Sequence, residues 1–208
     1  MIKALTERHP ALEACGTDIE SAIAMIVESY ESGGKLLLCG NGGSAADCDH
    51  IVGELMKGFL SKRQICDEKK ADMLRMCPGL DEIVLDSLQM GLPAISLHSA
   101  LAFNTAFCND VAADLVYAQA LFALGKKNDV LLAISTSGNS ENVVRAAEIA
   151  KAMGIRVIGL TGVGGGKLKS ISDVTICVPE SETYKVQELH LPVYHYICSE
   201  LEKHFFGH

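Results

Sequence analysis

A three-layer α/β sandwich with a parallel sheet is the fold this sequence predicts, and three observations predict it. Short, continuously apolar runs alternate with longer stretches of helical periodicity, as in a parallel sheet covered by helices on both faces. Two of the joints between a strand and a helix are Gly- or Ser-rich: Gly40-Asn41-Gly42-Gly43-Ser44 and Ser135-Thr136-Ser137-Gly138-Asn139-Ser140. The chain has 208 residues, 49% hydrophobic and 21% charged, enough to bury one substantial core and too apolar for disorder. One domain over residues 1–208 is expected.

The elements follow in order. Residues 2–32 place Ile2, Leu5, Leu12, Ile19, Ile23, Ile26 and Val27 at mostly helical spacing, with a break at Pro10. Gly33-Gly34 ends this N-terminal helical region, 1–33. Lys35–Cys39 reads as a buried strand and 45–59 as the helix after it. Residues 93–97, 129–134, 156–160 and 174–178 read as further strands, 141–153 as a helix, and 183–205 as a closing helix. Residues 61–90 break the rhythm with charges and Pro78-Gly79. That stretch is too long for a plain loop and reads as an inserted, partly helical excursion, either a functional lid or contact element or a solvated surface insertion.

Composition excludes several functions. A net charge of -8 argues against nucleic-acid binding, which needs a Lys/Arg surface. No apolar run approaches the roughly 18 residues of a membrane span, and the acidic N-terminus does not read as a signal peptide. A cytoplasmic location is expected. The eight cysteines are scattered without a CxxC pair, which suits small reduced apolar residues better than a disulfide framework.

The two loops carry the chemistry. A helix N-terminus offers unpaired N–H groups and a positive dipole end to a phosphate, and Ser135, Thr136, Ser137 and Ser140 add hydroxyl donors. Neither loop ends in GK[ST] or matches GxGxxG. Hydroxyls in place of a lysine suggest a monoester phosphate held without a nucleotide cofactor; simple N-capping is the alternative. His50 and Glu54 share one helix face about 6 Å apart along the axis, a pairing that suits proton transfer, metal binding or an exposed ion pair. On the closing helix, Gln187 and His195 stand about 12 Å and 80° apart, so one metal takes both from one helix only if Gln187 lies at the helix start and reaches sideways. His190 points elsewhere and reads as structural.

Taken in order, the Gly40–Ser44 loop, His50-x-x-x-Glu54, Ile134–Ser140, Leu160-Thr161-Gly162 and Gln187-Glu188-Leu189-His190 with His195 resemble the sugar isomerase (SIS) family, in particular its phosphoheptose isomerase branch. The resemblance covers the chain outside 61–90. It implies the SIS-type, flavodoxin-like fold, and an aldose–ketose isomerase that converts sedoheptulose 7-phosphate to a heptose 7-phosphate through a cis-enediol. It implies Glu54 and His195 as the acid–base pair, Ser135, Thr136, Ser137 and Ser140 on the phosphate with Ser44, and Asn41, Gly42, Gly43 and Gln187 along the substrate. It also implies zinc held by His50, Glu54, Gln187 and His195, and a homotetramer with sites between subunits. The chain departs from the family at Gly58, where an arginine is expected and Lys57 stands beside it, at Ser99 or Ala100, and at Tyr184, where aspartates are expected. Those departures bear on the sugar-hydroxyl contacts. A non-catalytic phosphosugar sensor or interaction protein, or an enzyme for an amino sugar phosphate, are the rival readings.

Overall fold

The computed structural model describes residues 2–207. Five strands, β1 (Leu36–Cys39), β2 (Ala94–Ser96), β3 (Val130–Ile134), β4 (Arg156–Thr161) and β5 (Val174–Cys177), pair in parallel in the order β2-β1-β3-β4-β5. This is the flavodoxin-like order. Each strand lies within one residue of an expected apolar run. The runs are unbroken because both faces are covered: β1 and β3 are buried at every position.

Strand alternation sends successive side chains to opposite layers. Leu36, Leu38, Leu132 and Ile134 join one core with Ile19, Ile26, Ile51, Leu55, Val193 and Ile197. These come from α2 (Gly16–Glu31), α3 (Gly43–Met56) and α10 (Thr183–Phe206). Leu37, Cys39, Leu131 and Ala133 join the other core with Val116, Leu121, Val143 and Ala147, which come from α7 (Val116–Leu124) and α8 (Glu141–Ala152). Each such fully buried aliphatic side chain contributes roughly 1.5–3 kcal/mol.

The N-terminal region is divided at Pro10 as expected. A short α1 (Lys3–Arg8) and a 3₁₀ segment (Pro10–Cys15) precede α2. Residues 61–90 are partly helical as expected, with α4 (Asp67–Met76) and α5 (Glu82–Ser87); α4 buries no side chain and α5 buries Leu85 alone. The ends of this stretch meet at an isolated bridge between Gln64 and Gln89, and the Met90 amide donates to the Arg63 carbonyl at 2.7 Å. α6 (Leu101–Asp110) and α7 fill the stretch between β2 and β3, and α9 (Leu168–Ile171) precedes β5. All eight cysteines are free; Cys15, Cys39, Cys48 and Cys198 are buried core residues, and burial pushes the Cys39 thiol up to about 12. Among the described residues no helix is long and apolar enough to cross a membrane.

Candidate active site

The strand order reverses between β1 and β3, and a crevice opens at such a point beyond the carboxyl ends of the strands. The two Gly- and Ser-rich loops are the segments that leave β1 and β3 there. The first loop touches the first turn of α8, which follows the second. The Asn41 and Asn142 side-chain amides exchange a reciprocal pair of hydrogen bonds, at 2.8 and 2.9 Å. Tyr117 on α7 supports the first loop from beneath, donating to the Gly40 carbonyl at 2.7 Å. Neither Asn142 nor Tyr117 was picked out by the sequence, since each finds its partner in a distant segment.

In the second loop the Ser135 and Ser140 hydroxyls lie 2.9 Å apart. Ser140 occupies the N-cap of α8, yet its side chain makes no cap hydrogen bond. The capping alternative is therefore not how this hydroxyl is used. The loop bends at Gly138, where φ is +67° and a Cβ would fall 2.1 Å from the Gly165 carbonyl oxygen; only glycine fits. Ser135 is buried, Thr136 and Ser140 are half-buried, and Ser137 is exposed. Lys167, another residue the sequence did not flag, brings its amide to the Asn139 side chain at 3.0 Å. Its ammonium reaches Glu141 in the first turn of α8 at 3.2 Å.

α3 and α10 both start at this carboxyl edge and descend side by side, so their contacts run in the same order. At the top, Gln187 lies over the start of α3: a Cβ on Gly43 would meet its Nε2 at 2.5 Å. One to two turns down, the Tyr194 hydroxyl bonds Asp47 Oδ1 at 3.1 Å and lies 3.1 Å from His50 Nδ1. Beside it, His50 Nε2 is 3.4 Å from His195 Nε2 and 3.2 Å from Glu54 Oε1. Lys57 Nζ, next to the position where the resemblance expects an arginine, pairs with Glu54 Oε2 at 3.1 Å. Burial, then the neighbouring His50, hold the His195 imidazole below its ordinary value against the pull of Glu54, so it is neutral near pH 7. Burial raises the Asp47 carboxyl above the usual range in spite of Tyr194 and His50.

His50, Glu54 and His195 are thus gathered. Gln187 is held apart from them at the loop, eight residues before His195, which is about 12 Å of helix. Among the described residues no group of three or more His, Cys, Asp or Glu side chains is arranged to hold a metal ion. Of the expected four-donor zinc set, His50, Glu54 and His195 meet, while Gln187 stands at the loop above them. His190 is fully buried, in keeping with a structural role. The departure after β2 is occupied by a cluster the sequence reading did not name: His98 Nε2 pairs with Asp49 Oδ1 at 3.1 Å, and the Ser96 hydroxyl lies 3.1 Å from His98 Nδ1.

Comparison with known proteins agrees with this geometry. A family model described as SIS domain matches residues 2–76 and 84–162. The phosphoheptose isomerase of Helicobacter pylori is 36% identical over 195 residues, 94% of this chain and 88% of that protein. The solved phosphoheptose isomerase of Neisseria gonorrhoeae is 30% identical and superposes with a TM-score of 0.76 over 97% of this chain and 94% of its own. That of Francisella tularensis, also 30% identical, gives 0.74 over 92% and 88%. With the family model spanning well over half its length and its loops at the β1/β3 switch point, the chain belongs to the SIS-domain family, among the phosphoheptose isomerases.

Proposed function

We propose that this protein is an aldose–ketose isomerase of phosphorylated sugars, with sedoheptulose 7-phosphate as the ketose. The observation that carries the proposal is the meeting of His50, Glu54 and His195 on two parallel helices below a hydroxyl-lined loop. A sensor needs the loop alone; it does not need a carboxylate and two imidazoles brought together. The phosphate binds the hydroxyls of Ser135, Thr136, Ser137 and Ser140 and the N-terminus of α8, with Ser44 contributing from the first loop. Asn41, Gly42, Gly43 and Gln187 line the sugar. The Glu54 carboxylate removes a proton from C1 of the ketose to give the cis-enediol and returns it to C2, leaving an aldehyde at C1. Neutral His195 relays the proton between the two oxygens.

Seven residues of α3, about 10 Å, separate Gly43 from His50. The acid–base pair therefore stands below the first loop rather than in it. A homotetramer with sites at its subunit boundaries brings the loop of one copy to the Glu54 of another. The same assembly is what a zinc site would require, since a donor from a second copy would have to complete it; metal analysis of protein purified without chelators, parent against His50→Ala, tests that point.

Conversion of sedoheptulose 7-phosphate to an aldose tests the proposal. Ser135→Ala with Ser137→Ala should weaken phosphosugar binding by roughly 1–3 kcal/mol, while the dephosphorylated sugar binds poorly to both forms. Equal affinity of parent and double variant for the phosphosugar contradicts the phosphate assignment.

A further inference from the structure

Directly below the His50–Glu54–His195 group lies a buried ion pair that no motif announces. Arg63 and Glu202 have fully inaccessible side chains, with Arg63 Nε 2.6 Å from Glu202 Oε1. Arg63 also donates to the Leu55 carbonyl at 2.7 Å and to the carbonyl of Glu54 itself at 3.1 Å. These are last-turn carbonyls of α3, which the helix leaves without intrahelical partners. Glu202 accepts the amides of Phe59 and Leu60 at 2.8 and 2.7 Å. Burial opposes its ionisation, but those two amides and Arg63 outweigh it and keep the carboxyl below its usual range. Arg63 adopts a positive φ of 42° to make these contacts, a conformation a non-glycine residue holds only when its surroundings impose it.

The connectivity ties the two reacting helices together. Glu202 follows His195 by seven residues, two turns on the same face of α10. Arg63 grips the helix end four carbonyls beyond His50. Phe59, whose amide Glu202 holds, places its ring 5.6 Å from the ring of His195. The pair therefore fixes α3 against α10 at the level of the proton-transfer group from three sides: the carbonyl of Glu54, the helix of His195, and the ring packed on His195. The charge pair as such is not called for by stability, because a buried ion pair is often replaced by apolar residues without loss; what its removal costs is the backbone hydrogen bonds it makes.

We propose that Arg63 and Glu202 are positioning residues, which set the reach of Glu54 and His195 toward the substrate by locking the register of α3 on α10. The inference rests on the isomerase reading for its kinetic consequence and on geometry alone for its structural one. The decisive variant is R63M with E202L, which replaces the pair with apolar side chains. Urea unfolding, phosphosugar turnover, and the proton–proton Overhauser contact between the rings of His50 and His195 in histidine-labelled protein are read together; those rings lie 4.9 Å apart in the parent. The expected variant folds but unfolds earlier than the parent, since the Phe59 and Leu60 amides and the Glu54 carbonyl lose their partner, and it keeps KM, since the phosphate loop is untouched. It loses the ring contact, and its kcat falls about tenfold to hundredfold, as misplacement of reacting groups does. A folded variant that keeps the ring contact and the parent kcat overturns the proposal. If the double variant does not fold, Arg63→Lys, which keeps the charge and gives up the fork, is judged by the same two readings. If the parent turns over no phosphosugar, the isomerase reading fails, and the ring contact alone then decides for or against the positioning role.

Discussion

His190 shows how a single residue on the reacting helix is excluded from the chemistry. It is fully buried, and burial pushes its imidazole down to about 4, so in the folded chain it stays neutral above that pH. An unfolded histidine titrates near 6.5. Between those values the unfolded chain takes up a proton that the folded chain refuses, so stability is full above about pH 6.5 and is lost as pH falls toward 4. The loss attributable to this residue is about 3 kcal/mol at pH 4. Urea unfolding of parent and His190→Leu across pH 7 to 4 measures it: the gap between them should shift by that amount in favour of the variant, and parallel curves would contradict it. The sequence separated His190 from His195 correctly because helical phase needs only local spacing. It could not find Asp47 with Tyr194, Asn41 with Asn142, or His98 with Asp49. Each of those pairs joins residues whose proximity is decided by packing rather than by spacing.

At the level of elements, the loop between β3 and α8 is the part whose shape has least freedom. Gly138 adopts φ +67° with the Gly165 carbonyl oxygen where a Cβ would stand. Gly138→Ala should destabilise the fold by at least about 1–2 kcal/mol from backbone conformation alone. Because the obstacle is backbone, it should also displace Ser137 and weaken phosphosugar binding. Urea midpoints and a binding isotherm check both; an unchanged midpoint contradicts the steric account. Strand positions were legible to within one residue because a parallel strand buried on both faces leaves an uninterrupted apolar run. α6 and α7 were not anticipated, since the stretch between β2 and β3 has neither a strand's continuous run nor a strong cap: α6 has no side-chain N-cap bond and buries no residue. Residues 61–90 were legible as a partly helical interruption, but the return of the ends at Gln64 and Gln89 was not, since that pairing joins distant residues.

For the whole molecule, the order β2-β1-β3-β4-β5 determines where a ligand sits, and the descent of α3 and α10 from the same edge determines where the acid and base sit. Along α3 the acid and base stand about two turns below the first loop. The assembly expected from the family resemblance predicts complementation: Glu54→Gln, impaired in turnover, and the Ser135→Ala, Ser137→Ala variant, impaired in binding at low phosphosugar concentration, should recover activity when co-expressed, because mixed oligomers contain some boundaries with both intact halves. No recovery in oligomers shown to be mixed would place the whole site within one chain. The central claim is that Glu54 carries a carbon-bound proton of a phosphosugar, and hydrogen exchange reads that step directly. Parent protein and Glu54→Gln are each incubated with sedoheptulose 7-phosphate in deuterium oxide, and deuterium at C1 and C2 is followed by NMR. The parent should incorporate deuterium, and Glu54→Gln should do so about 10²–10⁴ times more slowly while binding the phosphosugar as the parent does. Equal incorporation by both proteins, or none by the parent with any phosphorylated sugar of five to seven carbons, would contradict the account.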